Sequence, residues 1–508
     1  MQSSQKVAFN TFVMYAKVLI TVGVSLYSTR LILSELGTDD FGIFSLISGV
    51  VGMLAFLNIS VTVAVQRYLA YTIGEKSRER YEEVYGAAIK IGMFLGLLLA
   101  VVIELLGIFF LDSLDFAPER TWAVHAVFHC MVVSTFFSVW AIPYEAAIVA
   151  NEDIYVISLI YTVESLLKLA IAIYLIYTPY DKLVIYGVLL VLVYVSSNIF
   201  KKFYCNRYGC RPSAKSINRK TMKEMAKFSG WTSIEPLSVL FSVQGVAVLL
   251  NLFGGTVVNA AYGIANQVCG QMNYFSSSLL SAINPQIIKS EGMNNRERTI
   301  RLSRFACKLS FFLLSFFAVP LIMEMPFVLS IWLKDVPEYT VLFCRLILLS
   351  FVVSQLAYGL QGGVLAVGRI KYYQIVTGMV KVMSLPAAYF FLKAGFPLFV
   401  AIIMFVASET LNYFVRLYFA KKELGLQVKN FLFGVTLRLM LSLTIIVLVL
   451  YFVKGQFFFG FHRLLIVSAL SSVLWFLMFK FLILDKTEYA QIRKALLDFI
   501  IRIMDRVR

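Results

Sequence analysis

Eight ionisable side chains within long apolar segments of this sequence are candidates for transport chemistry. A charge in the middle of a bilayer costs at least about 2.5–3.5 kcal/mol, so each such group needs a role that offsets its cost. Basic side chains at such depth can bind an anion, and the candidates for this are Lys17, Arg30, Lys168, Arg345 and Lys381. Carboxylates there can bind and release a proton or a sodium ion, and the candidates are Glu164, Glu235 and Glu409.

Simpler explanations exist for some of these charges. Arg30 and Arg345 lie near the ends of their apolar segments and can extend to the membrane surface. Glu164 and Lys168 are four residues apart, the spacing of a pair on one helix, although such a pair can still line a cavity. Three deeper groups have no partner on their own helix and are predicted to line a cavity: Lys17, Lys381 and Glu409.

Glu235 is followed by a proline, which suggests a specific role. Pro236 removes a helix hydrogen bond and is expected to kink the helix, and carbonyl groups freed at a kink can help to coordinate a cation. We therefore expect Glu235 to take up a proton or sodium ion. Two alternatives stay open: Glu235 is solvated near the cytoplasmic edge, or it forms a static bridge with Lys17.

The composition is that of a membrane protein. Of 508 residues 60% are hydrophobic and 15% are charged, with a mean hydropathy of +0.80, whereas soluble domains are about 45–50% apolar and about 25% charged. This excludes a soluble enzyme, a nucleic-acid-binding domain and a disordered chain. Fourteen segments are long enough to span a bilayer, near 9–33, 41–65, 85–111, 121–144, 154–177, 183–204, 227–252, 260–284, 303–330, 340–366, 373–393, 397–419, 431–453 and 461–484.

The distribution of lysine and arginine predicts the orientation. Most of the 46 basic residues, among them Lys201, Lys308 and Arg416, are assigned to alternate loops and to the tail, which makes that side cytoplasmic and places both termini there. The net charge of +17 therefore belongs to one membrane side and does not indicate a nucleic-acid partner. The opposite loops are short and leave no room for a catalytic domain, so we expect no enzyme.

Cofactor and metal motifs are absent from the sequence. There is no GxxxxGK[ST] segment, so the chain is not expected to hydrolyse a nucleotide. His125 and His129 are four residues apart, but no third ligand is evident. Cys205 and Cys210 have neither the CxxC spacing nor a second Cys/His pair. No cofactor and no metal are therefore predicted.

An internal repeat organises the chain. Residues 141–154 (AIPYEAAIVANEDI) match 357–370 (AYGLQGGVLAVGRI), and 36–43 match 253–264, at similar offsets. We predict an all-α polytopic membrane protein of two related six-helix lobes and two extra helices. Six spans per repeat give a parallel repeat around a central cavity that opens alternately to each side. The predicted parts are the N-lobe, a basic cytoplasmic linker, the C-lobe, two further spans and a basic amphipathic tail, at 1–205, 206–226, 227–420, 431–484 and 485–508.

The chain resembles the multidrug/oligosaccharidyl-lipid/polysaccharide exporter superfamily, and within it the polysaccharide transporters or Wzx-type flippases. The likeness rests on the span pattern, on YSTRLILSELGTDDFGIFSLISGV at 27–50 and on the turn at Ala366–Arg369. It implies a flippase in the cytoplasmic (inner) membrane of a bacterium. Its substrate would be an undecaprenyl-diphosphate-linked oligosaccharide, such as an O-antigen repeat unit of lipopolysaccharide. It also implies that residues 431–484 border a groove for the polyprenyl tail.

Two other functions are considered. One is an ion-coupled antiporter for drugs or organic cations, which is disfavoured because basic side chains outnumber carboxylates in the spans. The other is a membrane-embedded glycosyltransferase or polymerase, which the short outer loops disfavour. The expected partners are the lipid-linked substrate, membrane lipids and a proton or sodium ion. The protein is expected to act as a monomer alongside a polysaccharide polymerase and glycosyltransferases.

Overall fold

The computed structural model describes residues 3–52, 55–110, 118–207, 218–333, 336–485 and 487–490. Every regular element within these ranges is a helix, which confirms the predicted all-α class. The chain forms two compact units. The N unit is Phe12–Ser233, and the C unit runs from Ile234 onward and includes the first residues of the chain.

The described part of the N unit contains most of α1 and seven further α-helices. Neighbouring pairs include α3 with α4, α4 with α7, α6 with α7, and α2 with both α5 and α8. Buried aliphatic residues of α4, α6 and α7, such as Val127, Leu175 and Leu183, form its apolar core. The helices are α1 (Ser3–Gly52), α2 (Ala55–Glu75), α3 (Arg78–Phe110), α4 (Thr121–Trp140), α5 (Ile142–Ala150), α6 (Ile154–Tyr177), α7 (Lys182–Arg207) and α8 (Arg219–Thr232).

The described part of the C unit contains nine further α-helices. Helix α17 packs on α10, where Trp475 contacts Phe311 and Phe312 at ring distances of 6.2 and 6.1 Å, and α16 packs on both. The helices are α9 (Ile234–Gly292), α10 (Arg296–Trp332), α11 (Thr340–Gln355), α12 (Tyr358–Val367), α13 (Lys371–Lys393), α14 (Val400–Phe419), α15 (Val428–Phe431), α16 (Leu437–Lys454) and α17 (Phe461–Met478). Short π-helical turns extend α14 and α17 and precede α16.

The predicted duplication is visible in the order of the helices. Helices α3 and α10 begin 218 residues apart, as do α7 and α14. Helices α1 and α9 each bend at a glycine, and these two glycines are also 218 residues apart. Gly37 has φ 77° and ψ 175°, and Gly255 has φ 75° and ψ −175°. Only glycine adopts this conformation readily, so the same backbone feature recurs at equivalent places of both repeats.

Close helix contacts depend on two further glycines. A Cβ atom at Gly96 in α3 would lie 3.2 Å from the carbonyl oxygen of Phe136 in α4. At Gly359 in α12 it would lie 2.5 Å from the carbonyl oxygen of Ser303 in α10. Gly96 and Gly359 belong to two GxxxG pairs, with Gly92 and with Gly363, and these pairs mark faces where helix backbones approach each other.

Eleven helical segments of the described chain are long and apolar enough to cross a membrane. The count becomes twelve if α11 and α12, which meet at an angle of 46°, form one broken span. These twelve correspond to twelve of the fourteen predicted spans. Of the other two, 41–65 includes residues 53 and 54, which lie outside the described residues, and 260–284 lies within α9.

The expectation that Pro236 kinks the middle of a helix is wrong, because Pro236 lies at the start of α9. Helix α8 ends at Thr232 and α9 begins at Ile234, so Pro236 lies in the first turn of α9. A proline ring clashes with the carbonyl group four residues before it, here that of Thr232, and this explains why the helix ends there. The bend inside α9 is at Gly255 instead.

Candidate functional site

Helices α13 and α14 are polar on their buried side and apolar on their exposed side. Tyr372, Met379, Phe414 and Tyr418 are more than half exposed. The buried side includes Gln374, Thr377, Lys381, Ser408, Glu409, Asn412 and Arg416. Polar and ionisable residues of membrane helices that face the protein interior mark candidate functional sites.

Lys381 and Glu409 form a buried ion pair between α13 and α14. The Lys381 Nζ atom lies 2.9 Å from Glu409 Oε1, and the two residues are 6% and 4% exposed. The sequence predicts both as cavity-lining charges without a partner on their own helix. The structure shows that each is the other's partner on the neighbouring helix.

Glu235 has two partners in the C unit. Its Oε1 atom lies 3.4 Å from Arg416 Nη2, and its Oε2 atom accepts a hydrogen bond of 2.7 Å from the Gln361 side-chain amide. Arg416 also donates to the Ser354 carbonyl oxygen at 3.1 Å. Arg416 is 2% exposed, so its assignment to a loop was wrong. It lies seven residues after Glu409, two helical turns along the same face, and this spacing could have revealed it.

Several buried polar atoms beside these pairs have no hydrogen-bond partner in the described part of the chain. They are Glu409 Oε2, Asn412 Nδ2 and Oδ1, Arg416 Nε and Gln374 Oε1. Buried polar atoms are nearly always hydrogen-bonded, so an unpaired set of this size indicates water or a bound ligand. The buried face of α13 and α14 is therefore a polar site rather than a closed core.

The N unit contains a second buried polar cluster, on α6 and α7. Lys168 Nζ donates to Glu164 Oε1 and to the Tyr194 hydroxyl, both at 3.0 Å. Ser197 donates to Glu164 Oε2 at 3.3 Å. Glu164 and Lys168 therefore form an ion pair on α6, as their spacing predicts. Tyr194 and Ser197 of α7 hydrogen-bond to this pair.

Glu145, in α5, binds a lysine that sequence reasoning placed in a loop. Lys201 Nζ donates to Glu145 Oε2 at 2.8 Å and to Asn198 Oδ1 at 3.2 Å, and Lys201 is 4% exposed. The Tyr161 hydroxyl donates to Glu145 Oε1 at 2.7 Å. Lysine and tyrosine together occupy both oxygens of this carboxylate.

Lys17 lies beside this group. Its ammonium nitrogen is 4.2 Å from the centre of the Tyr161 ring. The ammonium nitrogen of Lys201 lies 4.9 Å from the centre of the same ring. Within the described residues, no carboxylate oxygen lies within 4.0 Å of the Lys17 ammonium. The attraction between a cation and an aromatic face is worth about 0.5–2 kcal/mol, which offsets only part of the cost of burying a charge.

Arg30 and Arg345 are not brought to these clusters. Arg30 is exposed and lies thirteen residues along α1 from Lys17, about 20 Å at 1.5 Å per residue. Arg345 Nε donates to the Ile322 carbonyl oxygen at 3.0 Å. That carbonyl lacks its usual partner because Pro326, four residues later, has no N–H group. Arg345 thus supports a bend in α10, which has non-helical angles at Glu324.

Helix α10 holds two more buried charges, both paired with residues near the end of the chain. Glu324 is 0% exposed and accepts two hydrogen bonds, at 3.0 and 2.8 Å, from Arg463 of α17. Lys308 is 1% exposed and donates to Asp485 at 2.9 Å and to Glu488 at 2.7 Å. Lys308 is thus another basic residue wrongly assigned to a loop. These pairs fix α17 and the segment that follows it to α10.

The start of the tail carries a capping interaction. The backbone N–H of Asp485 donates to Glu488 Oε2 at 2.9 Å, as the spacing of the two residues predicts. Partial burial raises the pKa of Asp485, but the hydrogen bonds and charges of Lys308 and Arg438 outweigh this and hold it below its usual value. Residues 491–508, the rest of the predicted amphipathic tail, lie outside the described residues.

No group of three or more potential metal ligands occurs among the described residues. His129 Nδ1 lies 2.8 Å from Glu104 Oε1, and the two histidine rings of α4 are 6.4 Å apart. No disulfide joins the described cysteines, and Cys210 lies outside the described residues.

Comparisons with known proteins agree with the all-helical membrane fold described above. The MatE family model matches residues 15–174. An outward-facing multidrug resistance MATE family transporter of the MOP superfamily superposes with a TM-score of 0.74 at 15% identity, over 84% of this chain and 98% of that one. A MATE structure in the bent conformation gives 0.73 at 14% identity, over 85% and 99%.

A third solved structure is a MOP superfamily transporter from Pyrococcus furiosus. It gives a TM-score of 0.68 at 15% identity and covers 84% of this chain and 99% of that one. Its description states that the reverse polarity of its binding pocket suggests a different function. No curated protein sequence matches the chain. This protein therefore has the fold of the MATE transporters, and its N unit carries the MatE sequence pattern.

Proposed function

We propose that this protein flips an undecaprenyl-diphosphate-linked oligosaccharide across a bacterial cytoplasmic membrane by alternating access. The fold supports a transporter, and the observation that carries the choice of substrate is that no carboxylate of the described residues pairs with Lys17. In the N unit, Lys168 compensates Glu164 and Lys201 compensates Glu145. Lys17 is the third lysine of this cluster, and we propose that it binds the anionic group of the substrate.

A diphosphate suits this arrangement. It carries at least two negative charges, and a cluster with excess positive charge attracts it and lowers the cost of moving it into the membrane. Tyr161 holds Lys17 by its ring while its own hydroxyl is fixed on Glu145. The Pyrococcus furiosus transporter, described as having a pocket of reversed polarity, indicates that this fold serves more than one substrate class.

The two helices beyond the repeat also favour a lipid-linked substrate. A polyprenyl tail cannot enter a polar cavity and stays in lipid while the head group crosses. Helices α16 and α17 pack on α10 at the side of the C unit, and we propose that they border the path of that tail.

Ion coupling fits Glu409 better than the two other candidate carboxylates. Both Glu235 oxygens are occupied by Arg416 and Gln361, and both Glu164 oxygens accept hydrogen bonds. Glu409 Oε2 has no partner among the described residues and lies one turn from the equally unpaired Asn412. A proton or sodium ion could bind there.

The alternative function is an antiporter for organic cations. Its support is the multidrug transporter among the structural relatives. An organic cation requires a carboxylate that no basic side chain compensates, however, and Glu145 and Glu164 of the N unit lie 2.8 and 3.0 Å from a lysine nitrogen. The N unit therefore fits an anionic substrate better than a cationic one.

A deletion strain tests these functions. The flippase predicts that complete lipid-linked repeat units accumulate on the inner leaflet, and that the wild-type gene reverses this. Lys17→Ala should restore export poorly despite normal membrane insertion, whereas the exposed Lys393→Ala should restore it fully. Increased drug sensitivity without accumulation would favour the antiporter, and truncated lipid-linked oligosaccharides would favour a glycosyltransferase. Full export by Lys17→Ala would contradict the role of Lys17.

A further inference from the structure

The exposed side of α13 and α14 carries an open groove of about 510 Å³. Tyr372 and Val376 of α13 form one wall, and Phe414 and Tyr418 of α14 form the other. Lys422 lies at one end of the groove, in the π-helical turn that continues α14. The groove lies on the opposite side of these helices from the Lys381–Glu409 pair, so it is distinct from the polar site.

The groove is apolar along its length and basic at one end. Its aromatic walls are largely exposed: Tyr372 is 65% exposed, and Phe414 and Tyr418 are each 59% exposed. Because α13 and α14 are both long and apolar enough to span a membrane, we expect this surface to face hydrocarbon. Near this end the sequence carries three more basic residues, Arg369 and Lys371 around the start of α13 and Lys421 beside Lys422, with Glu423 as the single acidic residue among 369–371 and 420–424.

From this geometry we propose that the groove is a binding site for an anionic phospholipid of the surrounding bilayer. One acyl chain lies along Val376 and Phe414, the tyrosines lie at the level of the glycerol backbone, and Lys422 binds the phosphate. Tyrosine rings concentrate at the membrane interface, and lysine side chains extend to it. The volume falls within the range of about 300–1,000 Å³ for ligand pockets.

The charge at the end of the groove decides between possible occupants. A second copy of this chain would bring an equally basic end against Lys422, which is unfavourable. A zwitterionic lipid would gain the apolar contacts but little from the excess of positive charge. An anionic headgroup gains both, because each lysine near an anionic lipid surface contributes about 1 kcal/mol. This inference does not depend on the proposed substrate.

Native mass spectrometry of the purified full-length protein tests the proposal. Phosphatidylglycerol and phosphatidylcholine with identical acyl chains are titrated into detergent-solubilised protein, with undecaprenyl phosphate as a third probe. We expect phosphatidylglycerol to be retained preferentially. Lys422→Gln should weaken its binding about fivefold, and Val376→Trp, which fills the groove, should weaken both phospholipids. Lys393→Gln, at the exposed opposite end of α13, is the matched control and should bind as wild type.

Three results would overturn the proposal: equal retention of phosphatidylglycerol and phosphatidylcholine, unchanged phosphatidylglycerol binding by Val376→Trp, or binding of undecaprenyl phosphate alone. Both substitutions are at exposed positions, and unchanged thermal unfolding would show that the variants fold. Export by Lys17→Ala is unaffected by any of these outcomes, so failure here is distinguishable from failure of the proposed function.

Discussion

Removing the lysine of the buried pair between α13 and α14 should destabilise the protein by a predictable amount. In Lys381→Met the Glu409 carboxylate loses the ammonium that lies 2.9 Å away. Breaking a buried ion pair from one side costs about 3–5 kcal/mol. The carboxylate can avoid this by taking up a proton, which at pH 7 costs about 3–4 kcal/mol for a group with an ordinary pKa near 4.3. We therefore expect a loss of about 3–4 kcal/mol.

This origin of the loss makes it dependent on pH and on the partner. At pH 5 protonation of the carboxyl costs only about 1 kcal/mol, so the difference between variant and wild type should shrink. In the double variant Lys381→Met/Glu409→Gln no charge is left unpaired, and most of the stability should return. Membrane insertion of the single variant should be normal, because removing a charge does not make insertion harder.

Thermal unfolding of the purified variants in detergent measures these differences. The unfolding temperature of a domain of about 150–250 residues falls by about 2–4 °C for each kcal/mol of lost stability. Lys381→Met should therefore unfold roughly 6–16 °C below wild type at pH 7. Lys393→Met, which removes an exposed lysine from the end of the same helix, should change stability by less than about 0.5 kcal/mol. A single variant as stable as wild type at pH 7, or a double variant no better than the single one, would refute the reasoning.

Three further predictions concern other contacts. Glu235→Gln should lower the free energy of unfolding by about 3–5 kcal/mol, since Arg416 cannot lose its proton; an unchanged unfolding temperature would contradict the pairing. The contribution of Asp485, whose pKa is held low, should be constant above its ordinary value near 3.9 and be lost as the pH falls through its lowered folded-state pKa; thermal unfolding of Asp485→Asn should lack this acid-dependent loss. Gly255→Ala should destabilise by about 1–3 kcal/mol because φ is 75° there, a value that equal unfolding curves would disprove.

The lobes were predictable because apolar periodicity and the repeat are local properties of the sequence. The depth of Lys381 and Glu409 in their apolar segments also marked them as special. Their mutual pairing was not predictable, because it depends on how α13 and α14 are rotated against each other. Arg416 and Lys201 were assigned to loops because both lie close to the end of an apolar segment, where a long side chain usually reaches water.

Arg345 illustrates a different limit. Its positive charge within an apolar segment predicts a substrate contact, but it binds the carbonyl that Pro326 leaves free in α10. The proline was visible in the sequence, yet nothing local linked it to a residue of another helix. The conformation of Gly37 and Gly255 was likewise hidden, because a glycine in an apolar segment is more often a site of close packing than a bend.

The partners of α10 have a consequence for biosynthesis. Lys308 and Glu324 are buried in a helix made in the middle of translation, but their partners follow 177 and 139 residues later. At about 5–20 residues per second, α10 waits roughly 7–35 s before those residues are made. During that interval two charges of opposite sign remain without their final partners in a newly inserted helix. The C-terminal helices therefore complete the C unit, and ribosome stalling or truncation before residue 485 should expose α10 to membrane quality control.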